Sequence, residues 1–126
     1  MAPGFGEESF GPGGGFGVRR PLRFLAHKLE LDNDQVVILA RILDELKIER
    51  AQAAVDDRRA LADFADALAG DPFDTAKAEA AGQRRVESNQ RLRATLVSSL
   101  AKVHAMLNAE QRARLAHLIR AGILTV

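Results

Sequence analysis

The chain has 126 residues, with 18 Lys and Arg against 17 Asp and Glu, and contains no Cys, Trp or Tyr. That length provides one domain. The missing cysteines exclude a disulfide framework, a thiolate metal site and a cysteine nucleophile, and a net charge of +1 gives no general electrostatic case for nucleic acid.

Seven of the ten glycines lie before residue 18, among Phe5, Phe10 and Phe16. Residues 1–18 therefore read as a disordered Gly- and Phe-rich tail. They lack the basic start and apolar run of a secretory signal, and nowhere does the chain reach the roughly 18 consecutive apolar residues of a membrane span. Beyond the tail only Gly70, Gly82, Gly122 and Pro72 could break a helix after Pro21, and Ala supplies 22 of the apolar residues. Residues 19–126 read as one all-helical domain.

The first element is a short basic amphipathic helix from Pro21 to Lys28. Asp32 followed by Gln35 is an N-cap acceptor with a side chain that reaches back, and it opens a long helix from Asn33 to Leu68. Asp71 and Asp74, with Pro72 at the first helical position, open a second long helix from Pro72 to Met106. Asn108 with Gln111 opens the last helix, from Ala109 to Ala121, which Gly122 closes. Gly70 to Pro72 leaves room only for a tight connection, so the two long helices form an antiparallel hairpin.

Val36, Leu39, Leu43 and Leu46 keep helical spacing and face Leu96, Leu100, Val103 and Leu107, with Leu115, Leu118 and Ile119 covering that end. Leu61, Phe64, Leu68 and Phe73 are expected to hold the other end. Two long helices do not enclose a core between them, so the chain is expected to pair with itself as a homodimer. Acidic residues outnumber basic ones nine to five between Asp32 and Gly70, against four to six between Asp71 and Asn108. Complementary pairing inside the hairpin is one outcome. The other is a basic surface from Arg84, Arg85, Arg91 and Arg93 that attracts a client or partner.

Leu31-Asp32-Asn33-Asp34-Gln35 and Leu107-Asn108-Ala109-Glu110-Gln111 resemble the paired Leu-Thr-x-x-Gln motifs of the Spy/CpxP superfamily, with Asp32 and Asn108 where Thr is usual. The likeness spans residues 18 to 122. It implies a periplasmic, non-enzymatic helical protein that responds to stress or heavy metals as a chaperone or sensor, whose partners are a second copy, unfolded proteins or a membrane signalling protein. A periplasmic address would require an export signal or anchor upstream of Met1. By the same resemblance, His27, Glu45 or Glu49, and His104 occupy the positions of transition-metal ligands for Zn, Ni, Co or Cu, although no cofactor is required. His117, between Arg114 and Arg120, reads as a solvated side chain. The chain shows neither a phosphate-binding loop nor a Ser, His and acid grouping, so no catalysis is expected. The alternative function is a structural helical dimerisation module with neither metal nor client.

Overall fold

The computed structural model describes residues 19–126, and the Gly- and Phe-rich segment 1–18 lies outside the described residues. Four helices follow in order: α1 Arg19–Lys28, α2 Asn33–Ala69, α3 Thr75–Met106 and α4 Ala109–Arg120. There is no strand among the described residues. Helices α2 and α3 form the antiparallel hairpin, with residues 48–95 as one compact unit and residues up to 47 together with 96–126 as another.

Helices α2 and α4 start where their capping signals place them, while α1, for which no cap is read from the sequence, begins at Arg19, two residues before Pro21. Helix α3 begins at Thr75 rather than Pro72. Asp74 is its cap, accepting the Lys77 amide N–H at 3.0 Å through Oδ1. Asp71 and Pro72 belong to the turn, joined by a cis peptide bond. Helix α1 ends in a Schellman arrangement: the Leu31 amide donates to the Ala26 carbonyl and the Glu30 amide to the His27 carbonyl. Glu30 takes the left-handed conformation, φ 53°, that this ending demands. Gly122, φ 75°, ends α4 in the same way.

In the unit formed by the helix ends, Leu25, Leu29, Leu39, Ile42, Leu43, Leu46, Val103, Leu107, Leu115, Leu118 and Leu124 are all buried. Helix α1 thus turns Leu25 inward, with Leu22 and Phe24 half-buried beside it. Its spacing places Pro21, Leu25 and Leu29 on one face, four residues apart, which is why so short a helix stays attached.

The unit of the hairpin turn is built differently from the sequence expectation. Leu61, Leu68 and Phe73 are 51%, 76% and 51% exposed, whereas Ala60, Ala67 and Ala81 are fully buried. The inward line of α2 therefore runs one residue ahead of the leucines, through Asp56, Ala60 and Ala67. Small residues let the two backbones approach closely, and ion pairs along the flanks complete the contact. Ala81→Leu should overpack this contact and cost about 2 kcal/mol, measured by urea unfolding, while Leu68→Ala should change stability by less than about 0.5 kcal/mol.

Asp56 is the one buried carboxylate among the described residues, 6% exposed, with Ser88 buried close by. It accepts from Gln52 Nε2 at 3.0 Å and Arg91 Nη2 at 2.9 Å. Bonds from Gln52, Ser88 and Arg91 hold its carboxyl below the ordinary carboxylate range, against the opposing effect of burial. Asp63, bonded by Arg84, is held low in the same way. A carboxyl whose folded value is depressed adds stability above its unfolded value and loses it as pH falls through the folded one. Stability is accordingly expected to drop as pH falls below about 4. In acid titrations followed by circular dichroism, Asp56→Asn should be less stable than the parent at pH 7 and show a flatter decline. Arg50, half-buried in the same unit, is lowered by burial, and its Nε has no acceptor among the described residues.

Candidate functional site

The two motif boxes meet. In the first, the Gln35 amide N–H donates to Asp32 Oδ1 at 2.8 Å, and the Asp32 N–H donates to Gln35 Oε1 at 3.1 Å. The second repeats it: Gln111 N–H to Asn108 Oδ1 at 2.8 Å and Asn108 N–H to Gln111 Oε1 at 3.0 Å. Each box satisfies two of the donors that a helix start leaves free. That much is local chemistry, set by residues three apart.

The longer reach comes from the side-chain amide groups. Gln35 Nε2 donates to Gln111 Oε1 at 2.9 Å, and Gln111 Nε2 returns the bond to Gln35 Oε1 at 3.1 Å. The second hydrogen of each amide goes to a backbone carbonyl: Gln35 to Met106 at 2.9 Å, Gln111 to Leu29 at 3.1 Å. Both primary amides therefore use both donors, and both oxygens accept twice, which is their full capacity. Leu29 follows α1 and Met106 ends α3, while the boxes start α2 and α4. One four-way amide clasp thus ties together the ends of all four helices. Gln111 is 7% exposed, and bonds in such a dry place strengthen one another. Arg112 adds a further tie, Nε donating to the His104 carbonyl at 2.8 Å.

The clasp is neutral, and amides at this pH neither donate nor take up protons. Its chemistry is positioning. The ionisable side chains singled out from the sequence lie elsewhere. His27 is exposed in the last turn of α1, and His104 is exposed on α3. The latter borders an apolar groove of about 170 Å³ between α3 and α4, lined by Leu100, Val103, Leu107, Leu115 and Ile119. Glu45 is engaged by Lys102 Nζ at 3.0 Å, and Glu49 is half-buried in the unit of the hairpin turn. Among the described residues no three His, Cys, Asp or Glu side chains of one chain come together as a metal-binding group. A transition-metal site built from protein side chains needs at least three such ligands converging.

Of the four arginines, three are used inside the hairpin. Arg84 reaches Asp63 at 2.7 Å, Arg91 reaches Asp56 at 2.9 Å, and Arg85 Nε donates to Asp57 at 2.8 Å. Arg85 also lies over the Phe64 ring, 5.6 Å from its centre. Arg93 is exposed. Complementary pairing is thus the outcome for Arg84, Arg85 and Arg91. Sequence reasoning passed over Asp56 and Ser88, whose only signal was an acid placed within an Ala-rich inward line.

Comparison with known proteins adds one finding. A family model described as heavy-metal resistance matches residues 4–114. No curated protein matches the chain, and no solved structure does. No helix among the described residues is long and apolar enough to cross a membrane.

Proposed function

Because this chain belongs to the heavy-metal resistance family, we propose that it works in the periplasm without catalysis, as a homodimer of the heavy-metal and stress response that holds unfolded polypeptides. The family match over most of the chain carries the reading. The two motif boxes and the amide clasp that joins them support it. Membership of the family supports a periplasmic address, and the apolar side chains left exposed on the long helices support a second copy.

Client holding is favoured over metal sensing by the way the surface is composed. In the unit of the hairpin turn, Ile48, Leu61 and Val86 are exposed by 48% or more, and Arg58, Arg59 and Arg93 are exposed in the same unit. Scattered apolar groups beside mobile cations hold extended chains weakly: charge brings them in and apolar contact delays release. Sensing would instead have to gather ligands such as His27, His104, Glu45 and Glu49, and among the described residues of one chain no three such side chains form a group.

Two assays separate the readings. The full chain, added at equimolar ratio, should suppress light scattering from a thermally unfolded client, and should do so equally after His27→Ala or His104→Ala. Calorimetric titration with zinc, nickel, cobalt and copper should give no tight site. Tight binding lost in both His variants would replace client holding with metal sensing. Neither client protection nor metal binding would leave a structural dimerisation module.

A further inference from the structure

The turn of the hairpin is acidic and apolar at once. From Leu61 to Ala81 there are five carboxylates, Asp63, Asp66, Asp71, Asp74 and Glu79, against the single cation Lys77. Asp63 is bonded by Arg84 and Asp66 by Lys77. Asp71, Asp74 and Glu79 are exposed and take part in no ion pair among the described residues. Beside them Leu68 and Phe73 stand out, 76% and 51% exposed.

The other unit offers the complement. Helices α1 and α4 carry seven Lys and Arg between them and one carboxylate, Glu110. Where the end of α1 adjoins α4 there is an open groove of about 450 Å³, lined by Lys28, Glu110, Ala113, Arg114, His117 and Leu118. Arg114 is already shared between Glu30 and Glu110, at 3.2 and 3.5 Å, so the Glu110 carboxylate is occupied. Lys28 makes no ion pair among the described residues and lies 5.9 Å from the centre of the Phe24 ring, and His117 is exposed. The groove therefore has an apolar floor and two unpaired nitrogen groups at its rim.

We propose that the hairpin turn of one copy docks in the α1–α4 groove of a second copy, Phe73 and Leu68 entering the groove while Asp71 and Glu79 face Lys28 and His117. The occupant is a second copy because both halves of the contact, opposite in charge and each with uncovered apolar surface, are present on the same chain. A two-fold arrangement uses the contact twice, each copy giving its turn once and receiving one. The inference rests on the homodimer in the proposed function and assigns the surfaces that make it.

The native chain has no cysteine, so two variants report the contact without background. Phe73→Cys and Ala113→Cys chains, mixed and treated with a short bis-maleimide, should join as the mixed pair about tenfold more often than as either like pair. Asp71→Lys with Glu79→Lys should weaken self-association at least about tenfold in sedimentation at low salt, and adding Lys28→Glu with His117→Glu should restore it. Circular dichroism controls for folding, since all four positions are exposed. A dimer that forms no mixed pair and ignores the charge reversal would overturn the docking while leaving the homodimer intact. A monomer at 100 μM, on the order of the upper range of weak complexes, would remove both. Phe73→Ala that loses client protection but keeps full self-association would assign the turn to clients and also overturn the docking.

Discussion

Gln111→Ala is expected to lower the unfolding free energy by about 3 kcal/mol, because an unmet hydrogen bond in a buried place costs about 1–3 kcal/mol and several are left at once. The truncation strands the Leu29 carbonyl, the Asn108 amide and one donor and one acceptor of Gln35. Water can reach part of this set, since Gln35 is only half-buried, which keeps the cost below the sum of its parts. Gln111→Glu preserves shape and sharpens the point. A carboxylate there would face the Leu29 carbonyl and Gln35 Oε1 with no hydrogen to give, so its folded-state pKa would rise. Stability would then be retained at low pH and lost as pH climbs through that raised value. Urea unfolding of Gln111→Glu at pH 4 and pH 7 should show the larger deficit at pH 7.

Leu46→Ala should cost a comparable amount, about 3 kcal/mol, within the range of large-to-small changes in closed cores. Leu46 has no exposed surface, and it sits in the unit that supplies nearly all the large buried side chains. The removed atoms lose their transfer free energy, and the space left behind is bordered by helices that the clasp keeps from collapsing inward. In contrast, Ile48 two residues on is 69% exposed, and Ile48→Ala should stay within about 0.5 kcal/mol. A chemical denaturation series on the two variants separates a core position from a surface one in the same turn of helix.

The helix starts were legible because capping is local. Asp32 with Gln35 and Asn108 with Gln111 each carry their meaning within four residues, and the structure keeps both. The start of α3 was misplaced for the same reason: Asp71 and Asp74 offer identical acceptors three residues apart, and only the fold shows that Asp74 receives the Lys77 amide. The large apolar residues marked the inner line correctly from Leu39 to Leu46 and from Val103 to Leu118. Near the turn they misled. Ala60, Ala67 and Ala81 carry too little hydrophobic signal to compete with Leu61 and Leu68, although close backbone approach needs small residues. Charge asymmetry between α2 and α3 was visible as composition, and the structure resolves it into defined pairs such as Asp56 with Arg91.

The clasp itself lay beyond the sequence. Nothing in either box specifies that Gln35 and Gln111, 76 positions apart, share their amides, because that depends on how α1 and α3 end. The metal-ligand reading shows the same limit from the other side. His27, Glu45, Glu49 and His104 fit the chemistry of imidazole and carboxylate ligands, yet Glu45 is drawn to Lys102, and among the described residues no three His, Asp or Glu side chains gather as a metal-binding group. Residue type was readable; convergence was not.

A double-mutant cycle on Gln35→Ala and Gln111→Ala, each followed by urea unfolding, tests the clasp most directly. If the two amides act as one joint, the double variant should be destabilised by clearly less than the two single changes together, with a coupling of at least about 1 kcal/mol. A coupling within error of zero would mean that the two boxes cap their helices separately, and the four helix ends would then have to be held together by apolar packing and the contacts of Arg112 and Arg114.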